Sequence, residues 1–207
     1  MIELFGDATG NTFRATITLE EAGLPYRPRR IDLSRGEQRD DAYLRLNATG
    51  RIPTLIDTAG PGGQPLVLTQ SNAIMFYAAE KSGRLLPQDG TQRVRALEWL
   101  FLFVTDVIAP SHQGYFLRKG PEAPACEQAV RRLDERAISW YPHIDRHLAG
   151  HAYFAGEAFS LADIAAYTIT AALAGQLTWD SLPNVRGWFE RVRARAAVRN
   201  AMAAFRS

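Results

Sequence analysis

The chain has 207 residues, of which 46% are hydrophobic and 22% charged, a composition typical of a globular protein rather than a disordered one. Its 24 basic side chains nearly balance its 22 acidic ones, which argues against a dedicated nucleic-acid or membrane-surface binder, because such proteins gather one sign of charge on one face. The single cysteine, Cys126, excludes an intramolecular disulfide, a CxxC redox pair and a thiolate zinc cluster.

The first part of the chain carries most of the strand signals. Short apolar runs alternate with segments whose apolar residues are spaced as in a helix. Turn-forming segments such as GDATGN and GPGGQP separate them. The pattern predicts, in chain order, a strand at 2–5, a helix at 13–22, a strand at 26–33, a short helix at 40–46, strands at 52–56 and 66–69, and a helix from 71 to about 81. The order strand, helix, strand implies a parallel pair, and the closely spaced last two strands imply a hairpin, so we expect an α/β domain of βαβ-ββα order.

From residue 91 onward the strand signals nearly vanish. Apolar residues at helical spacing predict helices at 91–117, 126–148, 161–174 and 185–197. Ser160 and Asp163 have the spacing of a capping box at the start of the third helix. We therefore predict an α/β domain at 1–82, a linker at 83–90 and an all-helical domain at 91–207.

The location of the protein is predicted from the N-terminal segment and the most apolar stretch. The segment MIELFGDATGNTF has neither a basic leader nor an apolar core, so we expect a cytoplasmic protein. The stretch 97–109 is too short to span a bilayer and contains Glu98 and Asp106, so it predicts a buried helix instead.

Three segments of the first domain converge if it folds in the predicted order. Thr9-Gly10-Asn11 lies between the first strand and the first helix, where helix amides favour an anion. Arg51-Ile52-Pro53 precedes a strand, where a cis proline would aim the preceding backbone outward. Gln70-Ser71 lies where the last strand gives way to a helix, and Ser71 can cap that helix or hold a carboxylate.

The chain resembles the cytosolic glutathione S-transferases over essentially its whole length. The resemblance is carried by TGN after the first strand, by GRIPTL, by TQSNAIMFY and by GEAFSLADIAAY in the second domain. It implies a thioredoxin-like domain followed by an all-α helical bundle. Within the family, Thr9, Asn11, LEEAGLPY, Gln38 and Arg132 are most similar to the bacterial nu class, whose members include glutathione-dependent disulfide reductases.

The resemblance implies a homodimer that uses glutathione as a substrate and needs no metal. Thr9 and Asn11 would stabilise the glutathione thiolate, while the other implied contacts lie along the tripeptide. These are the Ile52 backbone with Arg51 and cis-Pro53 at the cysteinyl part, Gln70 and Ser71 at the γ-glutamyl end, Gln38 at the glycyl end, and Arg132 at a glutathione carboxylate. The second substrate would be an apolar electrophile, a hydroperoxide or a small disulfide, and Tyr115 and Phe116 would help to enclose it.

Two other functions stay open at this point. A non-catalytic glutathione-binding or regulatory module is one, because Gln70 stands where many family members have an acidic residue. The other is a dehalogenase, isomerase or ether-cleaving lyase that uses glutathione. Cys126 is interpreted as a structural or surface thiol rather than a reactive one.

Three of the four histidines, His143, His147 and His151, are spaced i, i+4, i+8 along a predicted helix. That spacing is compatible with a metal site. Without a neighbouring cysteine, and with Gly150 ending the helix before His151, a solvated helix face is the favoured interpretation.

Overall fold

The computed structural model describes residues 1–121 and 123–205. It divides into two compact units. The first contains Met1–Leu86 together with the chain from Arg193 onward, and the second contains Pro87–Val192. None of the described helices combines the length and the apolar character that a membrane span requires.

The first unit is built on a four-stranded mixed sheet. Its elements are β1 Ile2–Gly6, α1 Gly10–Ala22, β2 Tyr26–Arg30, α2 Asp41–Leu44, β3 Thr54–Asp57, β4 Leu66–Thr69 and α3 Ser71–Ser82, with single 3₁₀ turns at Glu37–Arg39 and Pro61–Gly63. The strand order is β2-β1-β3-β4, with β1 parallel to β2 and antiparallel to β3, and with β3 antiparallel to β4. The predicted parallel pair, hairpin and thioredoxin-like order are confirmed.

The core of this unit lies between the sheet and α1 and α3. Alternate residues of β1, Ile2 and Leu4, are buried against Leu55 of β3 and Ile74 of α3. Helix α1 ends at Gly23, which adopts φ 69° in the left-handed region and donates its N–H to carbonyls of the last turn. Glycine is suited to this position because it has no Cβ to clash.

The last helix, α10 (Ala196–Ala203), packs on α1 and so belongs to the first unit. Phe205, 3% exposed, joins the core cluster of the sheet and α1. Arg195 binds Glu21 of α1 through two hydrogen bonds of 2.5 and 2.8 Å. The segment from Arg193 onward therefore belongs to the first compact unit. The sequence analysis placed the same segment in the helical domain 91–207.

The second unit is helical, as predicted. Its helices are α4 Gly90–Leu102, α5 Ala109–Lys119, α6 Glu127–Ile138, α7 Tyr141–Leu148, α8 Leu161–Leu173 and α9 Pro183–Arg193, and a π-helical segment, Phe103–Ile108, joins α4 to α5. The prediction of one helix over 126–148 is wrong, because helix α6 ends at Ile138 and a separate helix, α7, begins at Tyr141. The ring of Pro142 would clash with the Ile138 carbonyl in a continuous helix, whereas proline is tolerated in the first turn of α7.

The predicted capping box at the start of α8 is confirmed. The Asp163 carboxylate accepts from the Ser160 amide at 2.9 Å, from the Phe154 amide at 3.2 Å and from the Trp188 indole at 2.9 Å. Asp163 is fully buried. Its carboxylate links the loop before α8 to helix α9.

Candidate functional site

The first part of the candidate site is the N-terminus of α1. Thr9 has extended backbone angles and its side chain accepts from the Thr12 amide, so it is the N-cap of the helix. The Thr9 and Thr12 hydroxyls lie 3.2 Å apart and share a hydrogen bond. A Cβ at Gly6 would lie 2.5 Å from the Thr12 side chain, so glycine at the end of β1 allows the helix to begin this close to the sheet.

Asn11 and Ser71 are joined by the guanidinium of Arg14, a residue of α1 that the sequence analysis did not select. Arg14 donates Nη2–H to Asn11 Oδ1, and its Nε–H points to Ser71 Oγ at 3.4 Å. The contact fixes the oxygen end of the Asn11 amide toward Arg14, so the nitrogen, its donor end, points another way. The N-termini of α1 and α3 therefore meet at one side chain.

Arg14 places a positive charge inside the first unit. The side chain is 4% exposed, and burial lowers the pKa of Arg14 to about 10. The guanidinium therefore stays protonated at neutral pH. A charge in a low-dielectric setting acts more strongly on a neighbouring anion than the same charge in water.

The segment before β3 forms the second part of the site. The Ile52–Pro53 peptide is cis, as predicted. Two buried side chains hold the carbonyl of Arg51, with Tyr43 Oη donating at 2.7 Å and Asn47 Nδ2 at 2.6 Å. This arrangement fixes the backbone that enters the cis bond.

Gln38 lies beside this segment. A Cβ at Gly50, which has φ 58°, would lie 3.0 Å from the Gln38 carbonyl oxygen, so the two turns pack closely. The Gln38 side-chain oxygen Oε1 is buried and has no hydrogen-bond partner among the described residues, and the same holds for Oδ1 of Asn72 in the first turn of α3. Such atoms are rare in folded proteins.

The turn before α3 adopts a rare backbone conformation. Gln70 has φ 72° and ψ 114° although it is not glycine, and its side chain is exposed. Non-glycine residues in this region carry conformational strain and cluster at functional sites. Ser71, which follows, is 6% exposed and begins α3.

Arg132 belongs to the second unit, where it lies exposed on α6. The proposed contact of Arg132 with a ligand therefore stays a prediction. Within residues 1–121 and 123–205, no group of three or more His, Cys, Asp or Glu side chains is arranged to hold a metal ion.

Three residues that build the site were not predicted from the sequence. Arg14 connects Asn11 to Ser71, and Tyr43 and Asn47 fix the Arg51 carbonyl. One signal was available for Arg14, since it interrupts the otherwise apolar and threonine-rich face of α1. An arginine in such a face is buried only when it has hydrogen-bond partners.

Family models match both units of the chain. Residues 2–80 match the glutathione S-transferase N-terminal domain, and residues 107–196 match the glutathione S-transferase C-terminal domain. The disulfide-bond oxidoreductase YfcG of Escherichia coli is 32% identical over 207 residues, covering 98% of this chain and 94% of that protein.

Two solved structures are also similar. A glutathione transferase family member from Pseudomonas fluorescens, with two glutathione molecules bound, has a TM-score of 0.88 and 29% identity, covering 97% of this chain and 92% of that one. A glutathione transferase from Pseudomonas putida, with one glutathione disulfide bound per subunit, has a TM-score of 0.84 and 30% identity over 97% and 90% of the two chains. This protein therefore belongs to the glutathione S-transferase family.

Proposed function

We propose that this protein is a glutathione-dependent enzyme that reduces small disulfides. The observation that carries the proposal is the group formed by Thr9, Asn11, Arg14 and Ser71, which gathers neutral donors and a buried cation at two helix N-termini. The relatives support it, because one is a disulfide-bond oxidoreductase and another holds glutathione disulfide.

Each part of glutathione has a chemically suitable partner in the first unit. The γ-glutamyl carboxylate would bind at the α3 N-terminus, at Ser71, with Gln70 beside the ammonium and with Arg14 supplying charge. The cysteinyl amide would pair with the Ile52 backbone, between Arg51 and Pro53. Gln38, which packs against the Gly50 turn, would contact the glycyl end. Arg132 is the proposed contact from the second unit.

The thiol of glutathione must ionise to act as a nucleophile. A cysteine thiol titrates near ~8.5, and each unit of lowering requires roughly 1.4 kcal/mol of preferential thiolate stabilisation. The donor end of the Asn11 amide and the Thr9 hydroxyl would donate to the sulfur, and the amides of α1 favour its charge. A Thr12 hydroxyl that donates to Thr9 would leave the Thr9 proton for the sulfur. No protein base is needed.

Disulfide reduction then requires two molecules of glutathione. The first thiolate attacks one sulfur of the substrate, the substrate S–S bond breaks, and the leaving thiolate takes up a proton. The second thiolate attacks the glutathione sulfur of the mixed disulfide, which forms glutathione disulfide and releases the other half of the substrate as a thiol. Electrons pass from two glutathione thiols to one disulfide, and Cys126 takes no part.

Assays with glutathione and three second substrates test the proposal. We expect turnover of 2-hydroxyethyl disulfide to exceed that of cumene hydroperoxide and of 1-chloro-2,4-dinitrobenzene. Cys126→Ser should retain the disulfide activity of the wild type, because the reactive sulfur comes with the ligand. Glutathione binding without turnover of any substrate would identify a binding module instead, and loss of activity in Cys126→Ser would refute the mechanism.

We further propose that the protein is a cytoplasmic homodimer. Four large apolar side chains of the second unit, Val94, Phe101, Tyr115 and Phe116, are about half exposed or more. Apolar surface of this kind is typical of protein contacts or substrate pockets. Sedimentation should then give the mass of two 23.0 kDa chains.

A further inference from the structure

The second unit contains a cleft whose walls are aromatic and imidazole rings. His143 stacks on Trp99 with ring centres 5.6 Å apart and planes at 22°, and His147 approaches Trp99 at 4.3 Å. His151 stacks on His147 at 4.3 Å and 10°. The four rings form a continuous column that we call the histidine column. The two outer members, His143 and His151, are exposed, whereas Trp99 is buried.

The histidine column lines a cavity of about 460 Å³. Phe154 and Leu102 add apolar walls, and Arg95 and Glu98 of α4 add polar ones. Arg95 and Glu98 form a 2.7 Å ion pair and both are more than half exposed, so the pair is weak and either partner can turn to a ligand. Cavities of this size with ring faces and a few polar groups are typical of small-molecule sites.

The hydrogen bonds of the column determine which ring nitrogens accept. His147 Nε2 lies 3.2 Å from the Phe154 carbonyl oxygen, and His151 Nδ1 lies 2.9 Å from the His147 carbonyl oxygen. A carbonyl only accepts, so each of these nitrogens carries its hydrogen, and in the neutral rings Nδ1 of His147 and Nε2 of His151 are acceptors. The lining therefore contains two imidazole acceptors, the Glu98 carboxylate, and Arg95 as donor.

The imidazoles do not converge on a common point as metal ligands would. The planes of His147 and His151 are nearly parallel, and one nitrogen of each is occupied by a carbonyl. Burial, followed by the nearby His151, lowers the pKa of His147, so at neutral pH this ring is an uncharged acceptor. The chemistry of the cleft is that of stacking and of accepting N–H hydrogens.

We propose that this cleft binds a planar nitrogen heterocycle that carries an amino or ring N–H donor. The ligand would stack on the exposed face of an outer histidine, donate to Glu98 and to an imidazole nitrogen, and accept from Arg95 through a ring nitrogen. The site consists of residues of the second unit alone and is independent of the proposed glutathione chemistry.

The probe is 2-aminopurine, whose fluorescence is quenched by stacking, compared with quinoline, which is planar but has no N–H donor. We expect 2-aminopurine to bind at least fivefold more tightly than quinoline, as one additional hydrogen bond would give. The NMR signals of His143, His147 and His151 should move during the titration, while those of His112, on α5, should not. Equal affinity for the two probes, or movement of His112 alone, would overturn the proposal.

Variants locate the site. Glu98→Gln and His151→Ala, both at exposed side chains, should weaken binding of 2-aminopurine by about fivefold to tenfold. Glu127→Gln is the matched control, because Glu127 also pairs with an arginine on an exposed helix face of the same unit but does not line the cleft. Weakening by Glu127→Gln equal to that by Glu98→Gln would refute the assignment.

Discussion

Replacing Arg14 by leucine is expected to weaken glutathione binding by about 30-fold to 100-fold while the protein stays folded. The substitution removes the donors to Asn11 Oδ1 and Ser71 Oγ together with a buried positive charge. Leucine fills part of the same space with apolar groups but leaves Asn11 Oδ1 and Ser71 Oγ without this donor, so we expect a loss of about 1–3 kcal/mol in the free energy of unfolding, less than the total stability of a typical domain. Titration calorimetry with glutathione measures the loss, and urea unfolding measures stability.

Two further variants show whether the effect is specific. Arg14→Lys keeps the charge but has a compact ammonium that cannot span two partners as a guanidinium does, so its affinity should fall between wild type and leucine. Arg29→Leu removes an arginine of β2 that is paired with Glu3, outside the candidate site, and should leave affinity unchanged. Binding by Arg14→Leu that equals wild type would remove Arg14 from the site.

Asp163→Ala should be the most destabilising single substitution at the start of α8, with an expected cost of about 3–5 kcal/mol in the free energy of unfolding. It leaves the amides of Phe154 and Ser160 and the indole of Trp188 without their acceptor in a fully buried place. Ser160→Ala, which removes only the cap hydroxyl, should cost about 1 kcal/mol. Urea unfolding compares the two, and equal costs would contradict this role.

The pH dependence of the stability difference between wild type and Asp163→Ala provides a second check. Burial raises the pKa of Asp163 to about 6, against 3.8 for an ordinary aspartate. Between these values the folded protein binds a proton at this carboxyl that the unfolded chain does not, so this group adds stability as pH falls from 6 toward 4. The stability gap between wild type and Asp163→Ala should therefore widen from pH 7 to pH 4.5, and a gap that narrows would contradict the assigned direction.

Local sequence signals were sufficient for most of the fold. The turn segments, the short apolar run of β1 and the capping pair Ser160 and Asp163 all depend on neighbours in sequence, and the structure confirms them. The break between α6 and α7 had a local cause in Pro142, but helical spacing alone cannot show where a helix ends. The docking of Phe205 could not be predicted, because the core it enters is formed by residues far away in the chain.

The same distinction explains the candidate site. Thr9, Asn11, Pro53 and Ser71 are indicated by motifs that lie at the junctions of strands and helices. Arg14 is not, because its burial depends on a contact with Ser71, 57 residues away in sequence. An arginine in an amphipathic helix is ordinarily assigned to the solvated face. The packing of α1 against α3 shows that this one lies inside, in agreement with its place on the apolar, threonine-rich face of α1.

The most direct test of the account is the pKa of the glutathione thiol bound to wild type, Thr9→Ala and Asn11→Ala, measured by the ultraviolet absorbance of the thiolate across a pH series. We expect a value at least one unit below ~8.5 for wild type. In both variants the value should return toward that of free glutathione. Thiolate formation that is unchanged in both variants would contradict the proposed roles of Thr9 and Asn11.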